Sequence, residues 1–138
     1  MSNSYSPRRQ RGFTILEIVI VFILLAGIMS YVGPKIFEQM GRAKSNEAKI
    51  RVQQLVGQIE MYKLEVGCYP DNLDALVKQP AGVDRWNGPY VKDPKDLKDA
   101  WGYDYRYTVP GTNKAFDLVS LGADNKEGGD GENRDITN

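Results

Sequence analysis

The sequence predicts an α+β protein in which one long N-terminal helix precedes a small antiparallel β-sheet. An apolar run over residues 13–34 contains a single charged side chain, Glu17, and predicts a membrane helix that also forms the core of a filament. Apolar residues then recur at spacings of three and four up to Gly67, which extends the helix as an amphipathic segment. Alternating residues over 103–109 and 115–121, joined by a turn-rich connection, predict a β-hairpin.

Composition excludes several classes of protein. The 138 residues suffice for one modest globular domain after the N-terminal helix, and the formal net charge is zero. Arg8, Arg9 and Arg11 all precede the apolar run, so the rest of the chain lacks the excess of basic residues typical of a nucleic-acid surface. The absence of histidine removes most zinc sites and the common nucleophile pairs. We therefore expect a protein that is not an enzyme and binds no nucleic acid.

The apolar run is long enough for a transmembrane helix. About 22 residues at about 1.5 Å each cover about 33 Å, the thickness of the hydrocarbon layer of a bilayer. Basic residues before the run place the N-terminus on the cytoplasmic side, so the residues after Lys35 are expected to be exported. Gly33 and Pro34 close the run, and because proline removes a helical hydrogen bond we expect a kink or local melting there.

Glu17 has two interpretations, because a carboxylate that faces lipid is costly. In the first it meets a partner: cleavage after Gly12 would create an amine at Phe13, one helical turn away, and the two charges would compensate each other within one chain or between neighbours. In the second it extends to the membrane interface, or the dipole of the first helical turn stabilises it. The residues alone leave both open.

This segment resembles the signal of type IV pilins and type II secretion pseudopilins. It reads Gly-Phe-Thr-Ile-Leu-Glu from Gly12 to Glu17, follows a short basic leader, and precedes an apolar run that ends at Pro34. The resemblance implies that a prepilin peptidase removes residues 1–12 and methylates Phe13. It also implies that Glu17 sets the register of subunits by meeting the Phe13 amine of an adjacent subunit, and that Pro34 kinks the helix.

Residues 35–67 are expected to form an amphipathic stem and residues 68–138 a globular head. The predicted apolar face of the stem comprises Ile36, Met40, Ala43, Val52, Leu55, Val56, Ile59, Tyr62 and Val66. This pattern alone also fits the alternative of a membrane-anchored domain carried on a helical spacer. The single cysteine, Cys68, cannot form an intrachain disulfide, and we expect a buried thiol.

The head is expected to contain further short elements around the hairpin. Residues 71–78 predict a short helix capped by Asp71 or Asn72, and residues 90–92 a short extended piece. Alternation of three tyrosines with polar residues predicts one aromatic face of the hairpin that packs on the core or the stem: Tyr103, Tyr105 and Tyr107.

The C-terminal segment 121–135 is rich in glycine and acids. Its carboxylates are the hard oxygen ligands that calcium prefers, but Lys126 and Arg134 break the EF-hand pattern, so the residues fit either a calcium site or a solvated acidic loop: Asp124, Glu127, Asp130, Glu132 and Asp135.

The same segment resembles the calcium loop of the major pseudopilins, the general secretion pathway protein G family, and so do Tyr69-Pro70, Gly88-Pro89-Tyr90 and Asp99-Ala-Trp-Gly102. The resemblance implies calcium as the cofactor, with Asp124, Asp130 and Asp135 as side-chain ligands and the carbonyls of Leu121 and Lys126 beside them. Asn125 stands where that family usually has glycine.

The resemblance extends from Gly12 to Ile136 and implies a type IV pilin-like fold, with the head in the periplasm and one span in the bacterial inner membrane. It implies a pseudopilus subunit that polymerises to push folded exoproteins through an outer-membrane channel. Its expected partners are other copies of the chain, minor pseudopilins, the prepilin peptidase, an inner-membrane assembly platform, an ATPase and the lipid bilayer. The alternatives are a surface type IV pilin for adhesion, motility or DNA uptake, and a membrane-tethered carboxylate hydrolase.

Overall fold

A computed structural model describes residues 12–138, so the predicted leader up to residue 11 lies outside the described residues. The longest element is helix α1, Ile15–Val66. Gly67 directly follows the helix, adopts a positive φ of 99° and donates its amide to the carbonyl of Lys63 at 2.8 Å. Glycine suits this position because the left-handed conformation costs it little. The predicted stem therefore ends within one residue of its expected boundary.

Contacts divide the chain into two units, which meet between Glu38 and Gln39. In the described part of the first unit the chain is helical from Ile15 onward, and the helix continues through Pro34. The helix therefore does not melt at Pro34 in the single chain, which was one of the two expectations for this position. The behaviour of this stretch in a filament stays a prediction.

The second unit carries the end of α1 and the head. Two short 3-10 helices, Leu73–Leu76 and Pro94–Leu97, come first. A three-stranded antiparallel sheet follows, in the order β1 (Arg106–Thr108), β2 (Asp117–Ser120) and β3 (Ile136–Thr137). A third 3-10 helix, Gly131–Asn133, lies in the connection between β2 and β3. The predicted hairpin is confirmed as β1 and β2, with Tyr107 opposite Leu118.

One face of α1 builds the core of this unit. Residues at spacings of three and four are buried, and they pack with buried side chains of the head: Ala48, Val52, Leu55, Ile59 and Tyr62 on the helix, and Leu76, Val91, Tyr105, Phe116, Leu118 and Ile136 in the head. This arrangement follows from the helical period, which places such residues on one stripe. The sheet is thus held on the stem by apolar burial.

The prediction that the apolar face of the stem begins at Ile36 was wrong. Ile36 and Met40 are 49% and 57% exposed, and Ala43 is exposed as well, whereas Gly41 and Ala48 are buried. The small residues are the buried ones because the head approaches the helix closely there: the side chain of Glu132 lies over Gly41.

Two other expectations were wrong. Cys68 is exposed, because it comes two residues after α1 ends at Val66 and lies outside the core. Residues 90–92 form no strand, and the amides of Tyr90 and Val91 instead donate to the carbonyl of Leu76 at 2.8 and 3.1 Å. The Leu76 carbonyl, at the end of the first 3-10 helix, thus accepts the hydrogen bonds that a neighbouring strand would otherwise accept.

The remaining predictions for the head are confirmed in part. The short helix after Asp71 is a 3-10 helix, and its cap is Asn72, whose side chain accepts a hydrogen bond from the amide of Ala75 at 3.2 Å. Of the aromatic face, Tyr105 is buried and Tyr107 is half-buried, but Tyr103 is exposed and precedes the strand.

Candidate functional site

The start of α1 is capped by a residue that sequence reasoning missed. Thr14 directly precedes the helix, and its hydroxyl accepts a hydrogen bond from the amide of Glu17 at 3.2 Å. The spacing of Thr14 and Glu17 is that of a capping box, which was the available signal. Glu17 therefore lies in the first helical turn, where the helix dipole favours an anion.

The Glu17 side chain and the neighbouring Phe13 are both exposed, Phe13 by 81%. Within residues 12–138, no hydrogen bond or ion pair to the Glu17 carboxylate is found. In the single chain the predicted processing residues and Glu17 thus stand at one exposed helix end. Whether Glu17 meets the amine of another subunit stays a prediction.

The apolar half of α1 has no protein partner within the described chain. An 18-residue window has a mean hydropathy of 2.6, and none of it is buried. The large side chains from Ile15 to Val32 are all at least 37% exposed. A helix of this length and composition is able to cross a membrane, and so much exposed apolar surface needs lipid or other subunits to cover it.

The acidic loop, residues 121–135, leaves the sheet at β2 and returns at β3. Ser120 pairs with Ile136 across these strands, so this pair forms the neck of the loop. Just beyond it, the amide of Ala123 donates to the carbonyl of Glu132 at 2.9 Å. Gly122 has a φ of 70°, and a Cβ there would lie 2.7 Å from the backbone of Glu132 and Asn133. Only glycine allows the two arms of the loop to approach so closely.

The predicted ligands lie along this loop. Oδ1 of Asp124 accepts a hydrogen bond from the amide of Lys126 at 3.2 Å, and Oδ2 of Asp135 accepts one from the amide of Gly128 at 3.0 Å. Asp130 caps the third 3-10 helix by position, without a side-chain cap bond. Asn125 has a φ of 53°, which explains why glycine is usual there and why asparagine is tolerated.

Two acids of the loop contact residues outside it. Glu127 forms an ion pair with Arg106 on β1. The Glu132 side chain lies over Gly41 on α1. The first contact ties the loop to the sheet of the head, and the second ties it to α1. The structure thus separates Glu127 and Glu132 from the acids that the family resemblance implied as ligands.

The donor groups of the acidic loop bear on whether it can hold calcium. The described residues contain no group of three or more acidic, histidine or cysteine side chains placed to hold a metal, so Asp124, Asp130 and Asp135 do not form a ready three-carboxylate site. Oδ1 of Asp135, however, is buried and has no hydrogen-bond partner in the structure. A buried carboxylate oxygen without a donor is costly, and a hard cation would satisfy it. The donor set therefore fits calcium if backbone carbonyls complete the coordination.

A buried acid next to the loop also escaped sequence reasoning. Asp99 is 3% exposed, and its carboxylate accepts a hydrogen bond of 2.6 Å from the hydroxyl of Ser120, which is fully buried. The two residues are 21 positions apart, and no sequence pattern connects them. Only the folded head brings them together at the loop neck.

Comparison with known proteins matches this architecture. The family model described as type II secretion system protein G matches residues 35–138. A type II secretion system core protein G of Xanthomonas campestris pv. campestris is 44% identical over 95% of this chain and 92% of its own length. The protein of the same name from Pseudomonas aeruginosa is 41% identical over 95% of this chain and 96% of its own.

A solved structure agrees with the fold. The crystal structure of the major pseudopilin from the type 2 secretion system of enterohaemorrhagic Escherichia coli has a TM-score of 0.61 and 25% sequence identity to this chain. The match covers 76% of this chain and 94% of that structure, which confirms the pilin-like fold predicted from the sequence. With a family match over most of the chain and relatives this similar over 95% of it, the chain belongs to the type II secretion system protein G family.

Proposed function

We infer that this chain is a structural subunit of the type II secretion pseudopilus. The observation that carries this function is the extent of the similarity: curated relatives named core protein G match 95% of the chain, so the apolar helix, stem and head are matched together. The alternative of a surface type IV pilin shares the fold, but the family match is to the secretion protein. Because the family is structural, we propose a role without catalysis.

We propose that residues 13–34 anchor the subunit in the inner membrane by one span, with the head in the periplasm. The support is the exposed apolar surface of this part of α1 together with the basic leader residues before it. On assembly, neighbouring copies replace lipid on that surface, and close side-chain packing between the helices contributes stability to the filament.

The start of α1 is proposed as the assembly determinant. The prepilin peptidase would remove residues up to Gly12, and the Phe13 amine would be methylated. This amine would lie at the positive end of the helix dipole, an unfavourable place for a cation. The Glu17 carboxylate of an adjacent subunit would neutralise it in a low-dielectric environment, where such pairs are strong and an unpaired partner is costly. Pro34 would let the helix adapt to packing in the filament.

We propose calcium as the ion that closes the acidic loop. Asp124 and Asp135 would bind it by side chain and Leu121 and Lys126 by carbonyl, with Asp130 as the further candidate. The support is the unpartnered, buried Oδ1 of Asp135 and the close approach of the two arms of the loop. When bound, calcium supplies positive charge that neutralises this acidic segment.

Further partners follow from the family: minor pseudopilins, the assembly platform of the inner membrane and an ATPase that supplies energy. The filament would help to move folded exoproteins through the outer-membrane channel.

A matched pair of variants tests the proposed assembly role. Glu17→Gln keeps the shape of the side chain but removes its charge, whereas Glu17→Asp keeps the charge. In cells that overexpress the chain with its secretion system, electron microscopy should show far fewer filaments for Glu17→Gln, with the chain still in the membrane and the head folded. Glu17→Asp should retain more filaments. Equal filament yield for the unsubstituted chain and Glu17→Gln would refute the charge-pairing mechanism, and an absence of filaments from the unsubstituted chain would refute the filament function.

A further inference from the structure

Asp99 is a buried carboxylate whose hydrogen bonds join two segments of the head. Its Oδ1 accepts from the amides of Trp101 and Tyr103 at 3.0 and 2.8 Å, and its Oδ2 accepts from the hydroxyl of Ser120 at 2.6 Å. The first two bonds fix the turn at residues 99–102. Three donors offset the cost of burying this acid, and the third crosses to the end of β2.

Ser120 lies where both arms of the acidic loop begin. It pairs with Ile136, which directly follows Asp135, and it directly precedes Leu121. Its oxygen also lies 3.4 Å from the amide of Gly122, which donates to it. The Asp99–Ser120 bond thus fixes a residue that directly precedes Leu121, and Ile136, the strand partner of Ser120, directly follows Asp135 on the opposite arm of the loop.

We propose that Asp99, acting through Ser120, is a positioning residue for the cation site of the acidic loop. This inference rests on the proposed calcium site. The Asp99–Ser120 bond orients the hydroxyl towards Asp99 and leaves the Ser120 oxygen as acceptor for Gly122, so the Leu121 carbonyl and Asp135 are held near each other before the ion arrives. A ligand set that is ordered in advance binds its ion more tightly, because less conformational freedom is lost on binding.

The test is calorimetric titration of calcium chloride into the full chain, purified in detergent and stripped of metal. Ser120→Ala removes the link and should weaken calcium binding by about 10-fold to 100-fold, the range seen when groups that orient metal ligands are removed. Asp99→Asn keeps both turn bonds through Oδ1 and keeps a link to Ser120 by donating from its amide, but it reverses the direction of that bond, so calcium binding should weaken less than in Ser120→Ala. Val91→Ala is the control for lost stability, since Val91 is buried in the core and makes none of these contacts.

The outcomes separate the two proposals. If the unsubstituted chain binds calcium and Ser120→Ala binds it equally well, or no worse than Val91→Ala, the positioning role is overturned and the calcium site stands. If the unsubstituted chain does not bind calcium, or Asp124→Ala binds it unchanged, the calcium site itself fails and the positioning role fails with it.

Hydrogen exchange on the calcium-free, unsubstituted chain gives a second readout that needs no variant. The amides of residues 120–123 should exchange more slowly than those of residues 125–130, because the neck is ordered before the ion binds. Equal, fast exchange in both segments would overturn the proposal even if Ser120→Ala fails to fold.

Discussion

The hydroxyl of Tyr107 donates a hydrogen bond of 2.9 Å to the carbonyl of Pro70 and thereby ties strand β1 to the segment that follows the stem. Its neighbour on the same face, Tyr105, has a buried hydroxyl without a hydrogen-bond partner in the structure. Tyr107 in β1 and Tyr105 just before it thus both pack with the core through their rings but differ in whether the hydroxyl has a hydrogen-bond partner.

This difference predicts opposite effects of the same substitution. Tyr107→Phe removes a made hydrogen bond and leaves the Pro70 carbonyl unsatisfied, so we expect the free energy of unfolding to fall by about 1 kcal/mol. Tyr105→Phe removes an unsatisfied polar atom and should leave stability unchanged or raise it. Chemical denaturation followed by circular dichroism measures both, and an equal loss in the two variants would contradict this assignment.

The same tyrosines predict a loss of stability at high pH. Burial raises the pKa of Tyr105 and that of Tyr107 from 10.0 to about 12. Above pH 10 the unfolded chain releases these phenolic protons while the folded chain keeps them, so the unfolded state binds fewer protons and stability falls as pH rises. The stabilisation is complete below pH 10 and is lost between about pH 10 and 12. Melting temperatures measured over this range should decline, and the decline should be smaller in Tyr107→Phe.

Calcium removal gives a third prediction. An ion bound only to the folded state adds about 2.7 kcal/mol at a concentration 100 times its Kd, so a chelator should lower the melting temperature of the head. Asp135→Ala should abolish the difference between calcium and chelator. Glu127→Gln is the matched control, because Glu127 pairs with Arg106 and lies outside the proposed ligand set; it should retain the difference. An unchanged melting curve of the unsubstituted chain on chelation would dismiss the calcium loop.

Features encoded locally were predicted well from the sequence. The period of apolar residues predicted α1 to within two residues at each end, and the alternation around Tyr105 and Tyr107 predicted the hairpin. Strand β3 was missed because two residues, Ile136 and Thr137, carry no periodic signal and become a strand only by pairing with β2. Periodicity alone also placed Ile36 and Met40 in the core, because it does not indicate where the head begins to cover the helix.

The candidate site shows the same division. Composition identified the acids of the loop, but it did not predict which of them pair with other residues. Glu127 forms an ion pair with Arg106, whereas Asp135 has a buried oxygen without a partner. The Asp99–Ser120 bond depends on the folded topology and has no local signature. A long-range hydrogen bond of this kind therefore becomes evident only in the folded structure.

Processing at Gly12 yields the last prediction. Thr14 already caps the first turn of α1, so removal of the residues before Phe13 leaves the helix start intact. We expect the mature protein from cells with an active prepilin peptidase to begin at Phe13 and to carry one added methyl group, as measured by intact-mass spectrometry. Protein from cells without the peptidase should retain the leader and serves as the control. Because cleavage acts before assembly, Glu17→Gln should still be processed; a mature chain that keeps Met1 in peptidase-positive cells would contradict the proposed signal.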